Sequence, residues 1–194
     1  MRSNTGAITK NVRNSESPTM TWFGGVWIVP MAWRSSESTM TMRVKAVIIN
    51  NAATIKTGPF EDVTPDVFDA HVAVNVRGPY FLVQAALPWL KESDAPAVVY
   101  VSSSSGSLFI PGQSIYGMTK AAIEYHTGSL AAELAPFGIR VNCVAPGPVD
   151  TPIHLSWAGD DVAGAYRRMS AELPLGRMGT SDELGYWVAA LAGP

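Results

Sequence analysis

The rhythm of hydrophobic and polar positions changes near Val44. Beyond it, short apolar runs alternate with long amphipathic stretches. "KAVIIN" (45–50), "AVVYVS" (97–102) and "IRVNCVA" (139–145) read as strands whose apolar residues do not alternate with polar ones. Strands of that kind suit a parallel sheet covered on both faces. The stretch from Val63 to Ser93 predicts a long helix, with Thr64 as N-cap and Pro65 in the first helical position. Gly78 and Pro79 are expected to kink or interrupt it. A second helix is predicted from about Ser114 to Leu134, stopped by Pro136 and Gly138. Thr180 and Glu183 have the spacing of a capping box for a last helix that runs to the chain end. Strand alternating with helix in this order predicts an α/β fold, a doubly wound parallel sheet.

Before Val44 the pattern fails. Ser, Thr and Asn are dense, and Met20, Met31, Met40 and Met42 recur at neither helical nor strand spacing. Only Val26 to Val29 reads as a short strand. The apolar segment "WFGGVWIVPMAW" is too short to span a bilayer and is broken by Gly24, Gly25 and Pro30.

Composition narrows the function classes. The chain has 194 residues, 47% of them hydrophobic, and a formal net charge of −2, enough for one domain with a real core. It has no basic stripe, so neither nucleic acid nor an anionic membrane is expected as a partner. The single Cys143 excludes an internal disulfide and, inside an apolar run, reads as a buried strand thiol. That suits a reducing cytoplasm. No His, Cys and carboxylate cluster has metal-ligand spacing, and His71 and His126 receive no role.

Chemistry-bearing residues gather where a parallel sheet binds ligands, beyond the carboxyl ends of its strands. "NNAA" (50–53) follows the first strand, "SSSSG" (102–106) the second and "PGPVDT" (146–151) the third, while Asn75 interrupts the long helix. Tyr116 and Lys120 are four apart in "YGMTK", hence on one helical face. Each group alone has an ordinary reading as a turn or a strand end.

Taken together, from about Lys45 onward, they resemble the short-chain dehydrogenase/reductase family. The resemblance rests on "NNAA", "NVRG" around Asn75, Ser103 thirteen positions before Tyr116, "YGMTK" and "VNCVAPGPVDT". It implies a Rossmann-like, three-layer α/β/α domain, incomplete at both ends, with residues 45–194 family-like and 1–43 atypical. It implies an NAD(P)-dependent oxidoreductase that interconverts a small-molecule alcohol and ketone. Tyr116 would be the general acid/base, and Lys120 would favour its phenolate and hold the nicotinamide ribose. Ser103 would hydrogen-bond the substrate oxygen. Asn75 would hold a water linking Lys120 to solvent. Pro146, Gly147 and the Val149 backbone would shape the nicotinamide pocket, with Thr151 on the carboxamide and Asn50 and Ala52 along the adenosine side. His154 and Trp157 fall in a segment that would cover substrate, where loop packing is the expected role. The resemblance also implies a homodimer or homotetramer through the two long helices, with Ala121, Ala122, Ala131 and Ala132 allowing close approach.

The sequence departs from the family in three places. Ala53 stands where the family's "NNAG" has glycine. The T-G-x-x-x-G-x-G turn that meets the cofactor pyrophosphate is missing from these residues, "NTGAIT" (4–9) and "FGGVW" (23–27) being partial echoes. The acids preceding Asn50, Glu16 and Glu37, lie in serine-rich surroundings unlike a ribose-binding site. The choice between NAD and NADP therefore stays open, and weakened cofactor binding is expected. A non-catalytic subunit of the same fold, without cofactor, is the alternative that these departures raise.

Overall fold

A computed structural model describes residues 21–23, 26–28, 46–153 and 161–193. The methionine cluster, Gly24, Gly25, Glu16, Glu37, His154 and Trp157 lie outside the described residues. Strand β1 (Thr21–Phe23) pairs antiparallel with β2 (Val26–Ile28), so the single short strand expected at Val26 acquires a partner. The main sheet is parallel, β3 (Val47–Asn50), β4 (Ala97–Val101) and β5 (Arg140–Val144) in the order β3-β4-β5. Each of these strands falls within its apolar run.

The runs are continuous because both faces of the sheet are covered. Ile48, Val98, Tyr100 and Val141 pack with Val83, Leu90, Ile123 and Leu134 from the helices on one side. Ala97 and Val99 are equally buried and, by strand alternation, face the other way, toward the side of α5 (Ser181–Ala192).

The long helix is broken where proline and glycine require it. It runs as α1 (Pro65–Val72), a π-helical turn over Ala73–Arg77 and α2 (Gly78–Lys91). Thr64 caps α1 by accepting from the Val67 N–H. Pro79 has no N–H for the Asn75 carbonyl four residues back, and the Gly78 N–H reaches to Ala73 instead. This turn directs Asn75 inward, where it is 3% exposed. Helix α3 occupies Ser114–Leu134, the expected span, and is followed by a 3₁₀ turn over Ala135–Phe137. Helix α4 (Val162–Glu172) is capped by Asp161. The Thr180/Glu183 capping box forms, and the helix it opens, α5, ends at Ala192. Arg140, at the start of β5, donates to the carbonyls of Leu191, Ala192 and Gly193 and ties the end of α5 to the sheet. No described helix is long and apolar enough to cross a membrane.

Candidate active site

Where the three strands end, their loops enclose a cleft of about 800 Å³. The Ser102 N–H donates to Val144 O and the Ser104 N–H to Pro146 O, both at 2.8 Å, so the serine turn and the Pro-Gly loop continue the β4–β5 pairing. The Pro-Gly loop is fixed from its far side as well. Val149 bridges Gly179 just before α5, with Asp150 N to Gly179 O and Gly179 N to Pro148 O both at 2.9 Å.

Ser103, Tyr116 and Lys120 all line this cleft, with Ala52, Pro146, Gly147, Val149 and Thr151. Asn50 does not. It is buried at the end of β3, its Nδ2 without a hydrogen-bond partner among the described residues, and Asn51 stands on the wall in its place. Asn75 also lies outside the lining. Its Oδ1 accepts from the Thr54 N–H at 2.8 Å, and its Nδ2 donates to Thr54 O at 2.9 Å and to Thr119 Oγ1 at 3.0 Å. Thr119 in turn donates to Tyr116 O at 2.8 Å. The loop after β3, the π turn and the Tyr116 backbone are thereby linked. Among the neighbouring histidines, His71 accepts from the Lys56 N–H at 3.0 Å and holds the same loop from its other end.

Tyr116 is 7% and Lys120 4% exposed. The Lys120 ammonium donates to Val101 O at 2.8 Å and stands 5.5 Å from the centre of the Tyr116 ring. Burial pulls it down from its ordinary 10.5 to about 8, because an ammonium loses hydration there. Burial raises the Tyr116 phenol, and a hydrogen bond with Ser103 acts in the opposite direction. Burial likewise raises the Cys143 thiol, which sits half-buried on β5 beside Tyr100, as an inert strand residue would.

In the sequence Ser102 and Ser105 read as turn residues beside Ser103, and their side-chain partners could not be seen there. Ser102 places its hydroxyl 2.7 Å from Glu124 Oε1, and Ser107 places its own 3.0 Å from Glu124 Oε2. Ser105 donates to Gln113 Oε1 at 2.7 Å, and its N–H donates to Ser103 Oγ at 3.2 Å. Two glycines let α3 meet this turn closely. A Cβ on Gly117 would stand 2.6 Å from Ser105 O, and one on Gly106 would stand 2.5 Å from Glu124 Oε1. Glu124 continues the Tyr116–Lys120 stripe by four more residues, which is the one signal that could have found it.

The residues present fit the nicotinamide half of a dinucleotide. The cleft joins a buried phenol and ammonium to an open Pro-Gly backbone, where a Cβ built on Gly147 would meet nothing within 4 Å among the described residues beyond its chain neighbours. No group of three or more potential metal ligands occurs among the described residues.

The family model described as "Enoyl-(Acyl carrier protein) reductase" matches residues 39–194. A tropinone reductase homologue from Arabidopsis thaliana is 34% identical over 148 residues, 76% of this chain and 48% of that protein. Gluconate 5-dehydrogenase from Burkholderia cenocepacia, solved with NADP and tartrate, superposes with a TM-score of 0.70 at 26% identity, covering 78% of this chain and 58% of that one. A 3-ketoacyl-(acyl-carrier-protein) reductase from Brucella melitensis, solved with NADH, gives 0.68 at 29% identity over 76% and 60%. The chain spans about half the length of the curated relatives it matches, 48% of the first and 57% of the next.

Proposed function

Because the chain belongs to the short-chain dehydrogenase/reductase family, we propose that it is an NAD(P)-dependent oxidoreductase interconverting an alcohol and a ketone, with Tyr116 as acid and base. The observation that carries this reading is the meeting of Ser103, Tyr116 and Lys120 in one cleft, with the ammonium 5.5 Å from the phenol ring. The chemistry that a bound nicotinamide cofactor would supply is hydride transfer to or from the substrate carbon. Pro146, Gly147, Val149 and Thr151 would hold its nicotinamide end, and Lys120 its neighbouring ribose.

The protein's own part is proton transfer and orientation. Ser103 hydrogen-bonds the substrate oxygen and positions it at the Tyr116 hydroxyl. In reduction the Tyr116 O–H bond breaks and its proton passes to the carbonyl oxygen, leaving an alcohol and a phenolate. In oxidation the phenolate takes the proton back. An ordinary phenol is already protonated at neutral pH and burial raises it further, which suits the reducing direction. Lys120 offsets the phenolate charge. The Asn75 side chain is engaged by Thr54 and Thr119, so a water leading from Lys120 to solvent would bind at its backbone carbonyl, to which Pro79 offers no N–H.

Self-association belongs to the same proposal. Met118, Ala122, Tyr125, Ser129 and Ala132 form an exposed stripe on α3, and Phe81 is exposed on the adjoining α2. Two such faces would pair in a homodimer or homotetramer.

Turnover is tested by following nicotinamide absorbance with a panel of neutral, carboxylated and amino ketones, with NADH and NADPH separately. Oxidation of either cofactor that depends on a ketone supports the reading. No turnover of any ketone, or of the matching alcohols with the oxidised cofactors, would overturn it.

A further inference from the structure

We propose that Glu124 is a positioning residue for Ser103: its carboxylate joins the two ends of the serine turn and so sets where that turn presents Ser103 to Tyr116. The proposal rests on the function proposed above for its kinetic consequence, but not for its geometry. Tyr116, Lys120 and Glu124 succeed one another at four-residue spacing on α3, so all three face the turn. The first two have roles in the proposed chemistry, whereas Glu124 reaches past them to the backbone segment that carries the third reacting group.

Its two oxygens are divided between the ends of that segment. Ser102, immediately before Ser103, is 2% exposed and places its hydroxyl 2.7 Å from Oε1. The same hydroxyl is 3.0 Å from Lys120 O, and its one proton belongs on the nearer, charged acceptor. Ser107, beyond the turn, donates to Oε2 at 3.0 Å. Between them lies Gly106, where an added Cβ would come within 2.5 Å of Oε1 and 3.0 Å of the Ala121 nitrogen. The carboxylate is thus seated against the turn as well as bonded to it. The Ser103 hydroxyl makes its own bonds within the turn, donating to Ser105 Oγ and accepting from the Ser105 N–H, both at 3.2 Å, while it acts on the Tyr116 phenol across the cleft. Its position therefore depends on what holds its neighbours, and Glu124 holds both sides.

A merely structural or purely electrostatic role for Glu124 predicts a different signature, which makes the inference testable without turnover. Removing a negative charge near Tyr116 would by itself ease formation of the phenolate and lower the phenol pKa. Displacing Ser103 would remove the hydrogen bond that favours the phenolate and raise it. The protein is labelled with 3-fluorotyrosine, which brings phenol titration into an accessible pH range, and the Tyr116 signal is identified by its loss in Tyr116→Phe. Fluorine-19 NMR titration then compares wild type with Ser103→Ala, Glu124→Ala and Glu124→Gln. Expected is a rise in Glu124→Ala close to that in Ser103→Ala. Glu124→Gln should restore most of the wild-type value, since an amide can accept from one serine and donate to the other. An unchanged or lowered value in Glu124→Ala overturns the proposal.

Should Glu124→Ala fail to fold, Ser102→Ala combined with Ser107→Ala removes the same two bonds from the other side and is read in the same way. In a turnover assay Glu124→Ala should lower kcat by about 10- to 100-fold and leave the cofactor KM unchanged, as misplacement of a reacting group does. A raised cofactor KM with unchanged kcat contradicts it. If the wild type turns over nothing, the proposed function falls while the titration still decides the role of Glu124.

Discussion

Lys120 is the most expensive side chain in the cleft to keep charged, and that cost can be measured apart from activity. It is 4% exposed, and its ammonium donates to Val101 O at 2.8 Å. Burial lowers it from 10.5 to about 8. Between those values the unfolded chain still binds the proton and the folded chain has released it, so stability rises with pH across that window. Each pH unit is worth about 1.4 kcal/mol, and the whole window about 3 kcal/mol. Lys120→Met removes the titration but also leaves Val101 O without its donor, at a cost of about 1–3 kcal/mol. The two proteins should therefore be close in stability at pH 7, or the variant slightly ahead. Wild type should overtake it as the pH passes from about 8 to about 10, because only wild type sheds its buried charge. Urea unfolding of both proteins at pH 7, 8, 9 and 10 reads the difference directly, since other titrating groups are common to both. A stability difference that is flat, or that falls with pH, refutes the reasoning.

The remaining expectations follow from packing, association and cofactor contacts. Gly106→Val should destabilise by about 1–3 kcal/mol in urea unfolding, because its Cβ meets Glu124 and the Ala121 nitrogen, and should lower activity with it. Gly128→Ala, where nothing lies within 4 Å on the same helix, should instead stabilise by about 0.5–1 kcal/mol. Tyr125→Asp, at a side chain 83% exposed on the α3 stripe, should shift sedimentation toward monomer; an unchanged assembly would place the interface elsewhere. The 194 residues should bind NADH or NADPH no better than about millimolar, since two or three missing charge-assisted bonds at about 1.5–3 kcal/mol each weaken binding by orders of magnitude. Micromolar binding by nicotinamide fluorescence would show a pyrophosphate site unlike the glycine turn.

What could be read from the sequence was whatever local chemistry decides. Three apolar runs gave three parallel strands, Thr64 capped the helix it preceded, and α3 began and ended at Ser114 and Leu134. Gly78 and Pro79 announced an interruption, but its form, a π turn that seats Asn75 between Thr54 and Thr119, depends on a loop 21 residues away. The same limit explains Asn50 and Asn51. Both follow one strand, and only the pleat and the packing decide that Asn50 is buried while Asn51 reaches the cleft. The contact between Glu124 and Gly106 was hidden for a related reason, although the four-residue stripe pointed toward Glu124. A glutamate on a helix reads as a solvated charge until the fold brings a glycine turn against it.

The central claim is that Tyr116 moves the proton. Tyr116→Phe keeps the ring packed in its buried place and removes only the hydroxyl, so folding should be preserved by circular dichroism. With a substrate identified from the ketone panel, single-turnover reduction by the variant should be slower by about 10²–10⁴-fold, the usual worth of a general acid, with cofactor affinity little changed. A Tyr116→Phe protein that reduces the ketone at the wild-type rate would contradict the account.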